Sequence, residues 1–132
     1  MSGKLLDTNI LIYLSKKQLA FDKVASPGDR LVISVITYME VLGYPFSNET
    51  EKHIVEELCQ YFPVIELDKK IVEKVIQIKQ QNKIKLPDAI ILATALVNKL
   101  DLITANVSDF SKIHSDLEIT NPMKKTNPRK EL

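Results

Sequence analysis

The sequence predicts an α/β domain with a mostly parallel sheet, on the basis of its segment order and its composition. Strand-like and helix-like segments alternate along the whole chain, which is typical of βαβ units. The 132 residues are 45% hydrophobic and 27% charged, the balance of a single soluble domain with a core of its own. No internal repeat or low-complexity tract divides the chain. We therefore expect one α/β domain.

Five short segments are expected to form the strands, and six to form the helices. The expected strands are 4–6, 31–33, 63–67, 100–104 and 117–120. The expected helices are 8–15, 19–25, a helix capped by Ser34 and ending at Leu42, one from Asn48 to Phe62, one after Asp68, and one from Pro87 to Val97.

Helix caps and apolar faces support these assignments. Ser34 and Asp68 are residues that accept hydrogen bonds from free amides at a helix start, and Asn48 with Glu51 resembles a capping box. The helix from Pro87 is apolar on all sides, so we expect a central or covered position for it. In the helix after Asp68, the residues expected on one apolar-edged face are Ile71, Val72, Val75, Ile76 and Lys79.

Hydropathy, cysteine content and charge indicate the compartment and the domain organisation to expect. No apolar run approaches the roughly 20 residues that span a bilayer, and no secretory signal opens the chain, so we expect no membrane association. The single cysteine, Cys59, cannot form an intramolecular disulfide and suits a reducing cytoplasm. Residues 121–132 carry a charge of +3 and residues 1–120 a charge of −2. We therefore expect a domain at 1–120 and a short basic tail at 121–132.

Most kinds of catalytic site are excluded by composition. The chain has three glycines, too few and too scattered for a phosphate-binding loop or a dinucleotide fingerprint. Two isolated histidines and one cysteine cannot build the usual zinc site. Cys59 lies among apolar helix residues and is expected in the core. Carboxylates are therefore the remaining candidates for catalysis.

Polar residues at helix starts and strand ends are the candidates for a site. Asp7 directly follows the first strand, Asp88 lies in the first turn of the apolar helix, and Glu40 lies among apolar neighbours. Asn106 and Asp109 follow the fourth strand. Each has an ordinary explanation: helix capping for Asp7 and Asp88, a solvated helix stripe for Glu40, and turn formation for the last two. Capping does not explain Glu40, and ligands bind beyond the carboxyl ends of parallel strands.

Four stretches of the chain resemble a known family. They are LLDTNILIYL (5–14), VISVITYMEVLGY (32–44), LPDAIILATAL (86–96) and LITANVSDF (102–110). In order and spacing they resemble PIN-domain proteins, and most of all the VapC-type toxins of prokaryotic toxin–antitoxin pairs, over residues 4 to 120. The resemblance implies a three-layer α/β/α sandwich around a mostly parallel five-stranded sheet. It also implies a metal-dependent endoribonuclease that leaves a 5′-phosphate and a 3′-hydroxyl.

The resemblance assigns roles to particular residues. It implies that Asp7, Glu40 and Asp88 bind the metal, with Asn106 at the fourth catalytic position, where many relatives carry aspartate. Oxygen ligands alone favour Mg²⁺ or Mn²⁺ over zinc. Ala105 departs from the pattern, since a basic residue often stands there. The residues expected to support the site are Thr8, Asn9, Ser34, Thr37, Thr104 and Asp109, the last by holding its loop.

The expected partners also follow from the resemblance. They are an RNA substrate, a small antitoxin lying over the acidic groove, and a second copy of the chain. Lys83 and Lys85 are candidates for RNA contacts. Apolar residues that suit either an interface or ordinary core packing are Ile54, Leu58, Phe62 and Ile76.

Other classes of protein account for the residues less well. A housekeeping PIN nuclease, or a PIN-like binding module with weakened catalysis, stays open, and Ala105 and Asn106 favour the module. A phospho-acceptor receiver domain with Asp68 as acceptor lacks the acidic pair after its first strand, and Lys124 comes too late in the chain. A haloacid-dehalogenase-type phosphatase would need aspartate in place of Asn9.

Overall fold

The computed structural model describes residues 3–113 and 116–123, and these form a parallel sheet with helices on both faces. The strands are β1 (Gly3–Leu6), β2 (Arg30–Ser34), β3 (Val64–Ile65), β4 (Asp101–Ile103) and β5 (Ile119–Thr120). The helices are α1 (Thr8–Ser15), α2 (Val35–Leu42), α3 (Glu49–Tyr61), α4 (Lys69–Gln81), α5 (Leu86–Val97) and α6 (Val107–Ser111). Apart from 121–123, the predicted basic tail lies outside the described residues.

The sheet is doubly wound, with β1 at its centre. The strand order is β3-β2-β1-β4-β5, and every pairing is parallel. Leu5 of β1 pairs with Val32 of β2 on one side and with Leu102 of β4 on the other. The chain therefore winds outward from β1 to β3 and then crosses back to β4. That reversal opens a crevice beyond the carboxyl ends of β1 and β4, the usual ligand position in such sheets.

Two hydrophobic cores, one on each face, make the three-layer sandwich. Successive strand residues point to opposite faces, so each apolar strand contributes to both cores. Leu5, Val32 and Leu102 pack with α4, α5 and Phe110 of α6. Leu6, Ile33 and Ile103 pack on the other face with α1 and α3. The predicted α/β/α sandwich around a parallel five-stranded sheet is confirmed.

Helix α5 occupies the central position expected from its composition. All seven consecutive residues from Ala89 to Ala95 are buried. Thr94, the one polar residue among them, donates its hydroxyl to the Ile90 carbonyl at 2.7 Å, so that hydroxyl is satisfied inside the core. In the described part of the chain, no helix is long and apolar enough to cross a bilayer.

The predicted helix starts are confirmed by their hydrogen bonds. Ser34 Oγ accepts from the Ile36 amide at 3.1 Å, and Asp68 Oδ1 accepts from the Ile71 amide at 2.9 Å. Asn48 Oδ1 accepts from the Glu51 amide at 2.8 Å. These contacts lie within a few residues of each cap, which is why the local sequence predicts them.

The structure differs from the predicted elements at 19–25, in the length of the strand at 63–67 and in the buried face of α4, and α6 was not predicted. The helix expected at 19–25 is only a 3₁₀ turn at Phe21–Lys23. Leu19 and Val24, on either side of this turn, are buried. The strand expected at 63–67 pairs over two residues, because β3 is an edge strand with a neighbour on one side. On α4, Val72 and Ile76 are exposed and Ile78 is buried, so the buried stripe is Ile71, Val75 and Ile78.

The ion pair between Lys4 and Asp29 yields a prediction about stability. Lys4 Nζ lies 2.8 Å from Asp29 Oδ2, which also accepts the Ser26 amide at 2.9 Å. These two hydrogen bonds, the Lys4 bond foremost, lower the pKa of the Asp29 carboxyl below its usual value. The charged carboxylate therefore stabilises the fold above the unfolded-state pKa of about 3.9, and that contribution is lost as pH falls through the lower folded pKa.

We expect Asp29→Asn to lower the stability of the protein at neutral pH and to leave it nearly unchanged in strong acid. Urea unfolding of the parent and the variant at about pH 6 and about pH 3 measures both differences. A destabilisation that is equal at both pH values would contradict a role for the charge.

Candidate active site

Asp7 is a nearly buried carboxylate at the point where β1 ends and α1 begins. Its exposed fraction is 5%, and its side chain caps α1 by accepting the Thr8 amide on Oδ1 at 2.8 Å. Oδ2 accepts the Thr104 hydroxyl at 2.8 Å and the side-chain Nδ2 of Asn9 at 3.4 Å. Both the capping interpretation and the site interpretation of Asp7 are therefore compatible with its contacts.

Hydrogen bonds across the crevice tie the end of β1 to the segment after β4. The fully buried Thr104 hydroxyl, which donates to Asp7, also accepts the Asn106 amide at 3.0 Å. Asn9 reaches the same segment, because its Oδ1 accepts the Ala105 amide at 3.1 Å. Thr104 and Asn9 thus fix the orientation of the Asp7 carboxylate from two sides.

Glu40 is connected to this end of the sheet through Thr8. The Thr8 hydroxyl donates to Glu40 Oε1 at 2.6 Å and lies 3.1 Å from the Thr37 hydroxyl. Thr37 is fully buried, whereas Glu40 is exposed, in contrast to the apolar setting that its sequence neighbours suggested. Ser34 is buried and caps α2, with no hydrogen bond to the acidic residues in the described part of the chain.

The acidic residues Asp7, Glu40, Asp88 and Asp109 influence one another's ionisation. Burial raises the pKa of Asp7, and the charges of Asp88 and Glu40 raise it further, against the hydrogen bonds from Thr104 and Thr8. Burial is also the main cause that raises the pKa of Asp88. The charges of Asp109 and then Glu40 add to that rise, and Lys85 opposes it. Like charges in a poorly solvated place account for both shifts.

A cavity of about 590 Å³ opens beside Asp88. Its lining includes Asp88, Asn106 and Asp109 together with the lysines Lys83, Lys85 and Lys112. The structure thus brings the predicted Lys83 and Lys85 next to the acidic residues and adds Lys112, which the sequence analysis missed. Asp109, predicted only to hold its loop, is exposed, and its charge acts on Asp88 more strongly than that of Glu40.

The donor set fits a divalent cation by its chemistry. Asp7, Glu40 and Asp88 supply oxygen ligands, which suit Mg²⁺ or Mn²⁺, and a cation would relieve the repulsion that raises the pKa values of the two aspartates. Among the described residues, however, no three Asp, Glu, His or Cys side chains form a ready-made group for holding a metal.

Thr104 is the residue whose removal tests how the site is supported. Thr104→Val keeps the shape of the side chain and removes both hydrogen bonds of the hydroxyl, leaving Asp7 and the Asn106 amide without that partner. We expect a loss of about 1–3 kcal/mol in the free energy of unfolding. The resemblance to VapC-type proteins implies metal-dependent RNA cleavage, and under that expectation the cleavage should fall roughly 10- to 100-fold, as for a residue that orients a metal ligand. Thr104→Ser keeps the hydroxyl and is the control; equal activity of the two variants would contradict this role.

A doubly wound parallel sheet with carboxylates gathered beyond β1 defines the class of protein, an α/β domain with an acidic strand-end site. Residues 4–115 match the PIN domain family, and the chain belongs to that family. Membership supports a nuclease. No curated protein matches the chain in sequence.

Solved structures agree with this assignment. A toxin–antitoxin complex from Klebsiella pneumoniae contains a chain 36% identical to this one, with a TM-score of 0.72, covering 90% of this chain and 97% of that one. VapBC-1 from nontypeable Haemophilus influenzae contains a chain 31% identical, with a TM-score of 0.74 and coverage of 92% and 99%. A DNA-bound VapBC from Salmonella typhimurium, at 23% identity and a TM-score of 0.75, shares the fold. The predicted resemblance to VapC-type PIN proteins is confirmed.

Proposed function

We propose that the chain is a metal-dependent endoribonuclease that uses Mg²⁺ or Mn²⁺ and acts as the toxin of a VapBC-type toxin–antitoxin pair. The observation that carries this proposal is the Asp7 carboxylate, 5% exposed at the crevice between β1 and β4. Its pKa is raised by burial and by the charges of Asp88 and Glu40. Hydrogen bonds from Thr104 and Thr8 offset part of the cost of burying this charge, and a bound cation would relieve the repulsion from Asp88 and Glu40.

In this proposal Asp7, Glu40 and Asp88 hold the ion, directly or through water. The ion supplies charge neutralisation at the phosphate and lowers the pKa of a water molecule. Thr104 and Asn9 keep Asp7 oriented, and Thr8 does the same for Glu40.

The fourth catalytic position has two candidates. Asn106, the residue predicted there, lines the cavity beside Asp88 and brings a neutral side chain that can position water. Asp109 lines the same cavity, carries a negative charge, and raises the pKa of Asp88. We assign the fourth acid to Asp109 and a water-positioning role to Asn106.

The toxin part of the proposal is supported by the two structures that are at least 31% identical to this chain, one a toxin–antitoxin complex and the other a VapBC. We propose a small antitoxin, an RNA substrate and a second copy of the chain as partners in the cytoplasm. Among the predicted interface residues, Ile54 and Ile76 are 40% and 51% exposed, whereas Phe62 is 4% exposed and belongs to the core. Residues 1–120 are proposed as the nuclease domain, followed by the basic tail.

Cleavage of single-stranded RNA by the purified chain tests the nuclease. We expect cleavage with Mg²⁺ or Mn²⁺, none with EDTA, and recovery when excess metal is restored. The products should carry 5′-phosphates. Cleavage that resists the chelator would contradict the metal-dependent mechanism, and metal-supported binding without cleavage would favour the weakened binding module.

Expression in a bacterial host tests the toxin against a housekeeping nuclease. A toxin should arrest growth, and the product of a short reading frame encoded beside it should relieve the arrest. Growth that continues despite verified nuclease activity would favour the housekeeping role.

A further inference from the structure

A second cavity adjoins the one beside Asp88. It has a volume of about 320 Å³ and lies along α4, where Lys74, Gln77 and Gln81 line it. Asn82 and Ile113 line both cavities, so the two meet at these residues. We call these two neighbouring cavities together the α4 groove; Asp88 lines one of them and Lys74 of α4 lines the other.

The loop between α4 and α5, which forms the middle of the α4 groove, is held by hydrogen bonds from α4. Lys79 Nζ donates to the Ile84 carbonyl at 2.7 Å, and Asn82 Nδ2 donates to the Ile78 carbonyl at 3.1 Å. These bonds fix the backbone on either side of Lys83. The lysines of this loop are therefore presented to the groove by an ordered backbone.

Charge is distributed unevenly along the α4 groove. Both aspartates that line it, Asp88 and Asp109, lie at the end where the acidic site is, and three lysines line the same cavity. The α4 end is lined by Lys74 and by glutamines, with no carboxylate among its lining residues. No aromatic side chain lines either cavity, so attraction here is electrostatic and has no stacking contribution.

We propose that the α4 groove binds the part of a single-stranded RNA that extends from the scissile phosphate. This proposal rests on the proposed nuclease function. Lys83, Lys85 and Lys112 bind the phosphates next to the scissile one. Beyond them, Lys74 binds a further phosphate and Gln81 contacts a base. A strand whose phosphate lies at Asp88 must continue along the surface, and the cavity at Asp88 is lined by three lysines and adjoins the cavity on α4.

Binding of RNA at varied salt concentration tests the proposal. The probe is a fluorescently labelled single-stranded RNA of about ten nucleotides, and every protein carries Asp7→Asn so that the RNA stays intact. The groove variant is Lys83→Ala, Lys85→Ala, Lys112→Ala. The control variant, Lys23→Ala, Lys52→Ala, Lys70→Ala, removes the same charge from residues that line neither cavity.

We expect the slope of log Kd against log salt concentration to fall by about 0.7 for each groove lysine removed, and hence by about 2 for the groove variant. The control should lose far less. Lys74→Ala should weaken binding of the long RNA and leave a dinucleotide unaffected. Equal slopes for the groove variant and its Asp7→Asn parent, or equal losses in both triple variants, would overturn the proposal.

The experiments distinguish failure of the groove proposal from failure of the proposed nuclease function. If Asp7-containing protein cleaves RNA and the groove lysines affect neither cleavage nor binding, the groove proposal fails and the nuclease stands. If the slope changes as expected and no protein cleaves, the nuclease fails and the groove stands as an RNA-binding surface. Lysine-dependent binding of an acidic peptide, with RNA binding unchanged, would assign the groove to a protein partner and overturn the proposal.

Discussion

Replacing Asp7 with asparagine is expected to reduce RNA cleavage by more than about a hundredfold while the protein stays folded. Removal of a residue that only orients a metal ligand costs about 10- to 100-fold, so loss of a ligand itself should exceed that range. The fold should survive, because burial and neighbouring acids already make the charge on Asp7 unfavourable. Asparagine keeps an oxygen that can accept the Thr8 amide at the start of α1.

Two measurements separate this expectation from a general structural defect. Circular dichroism and thermal unfolding of the variant without metal should match the parent. Added Mg²⁺ should raise the Tm of the parent by ligand linkage and leave the Tm of the variant unchanged. Asp22→Asn changes an exposed carboxylate outside the site and serves as the matched control. Full cleavage by the Asp7→Asn variant would remove Asp7 from the proposed mechanism.

Phe110→Ala is expected to cause the largest loss of stability among the changes considered. Phe110 is fully buried and is the one buried residue of α6, a helix of only five residues. Truncation of a buried phenylalanine costs about 3–5 kcal/mol, a large part of the 5–15 kcal/mol that stabilises a typical domain. For a chain of this size the Tm should fall by roughly 10–20 °C.

The position of Phe110 also predicts an effect on the site. Phe110 follows Asp109 directly and precedes Lys112 by two residues, so its side chain anchors both to the core. At temperatures where the Phe110→Ala variant is still folded, cleavage and RNA affinity should therefore fall too. Phe21→Ala, at a ring that is 44% exposed, is the control and should cost much less. A Tm loss for Phe110→Ala no greater than for this control would contradict the anchoring role.

The sequence predicts those features of the fold that depend on nearby residues. The caps at Ser34, Asn48 and Asp68 need only a side chain and an amide two or three residues later, and all three form. The missed features depend on distant packing. The exposure of Ile76 depends on how α4 is rotated about its axis when it packs against α5, and the apolar pattern of α4 alone does not predict that rotation.

The residues of the candidate site also divide into those that the sequence predicts and those that depend on distant packing. Asp7, Glu40 and Asp88 are recognisable from motifs, and their placement near one another agrees with the order of the strands. Asp109 looks like a turn former, and Lys112 is one of many surface lysines. Both reach the cavity because Phe110 packs into the core between them; Asp109 is among the predicted supporting residues, and Lys112 is not. The signal for Asp109 is its position one helical turn after Asn106.

The central position of β1 has a consequence for synthesis of the chain. β1 is made first, yet its second neighbour, β4, begins at Asp101, and the hydrogen bond from Thr104 to Asp7 joins residues 97 positions apart. Until β4 has left the ribosome, β1 keeps one unpaired edge and Asp7 lacks its main hydroxyl partner. Contacts this distant form late in folding. The hydrogen-bonded surroundings of Asp7 are therefore complete only when nearly the whole domain has emerged.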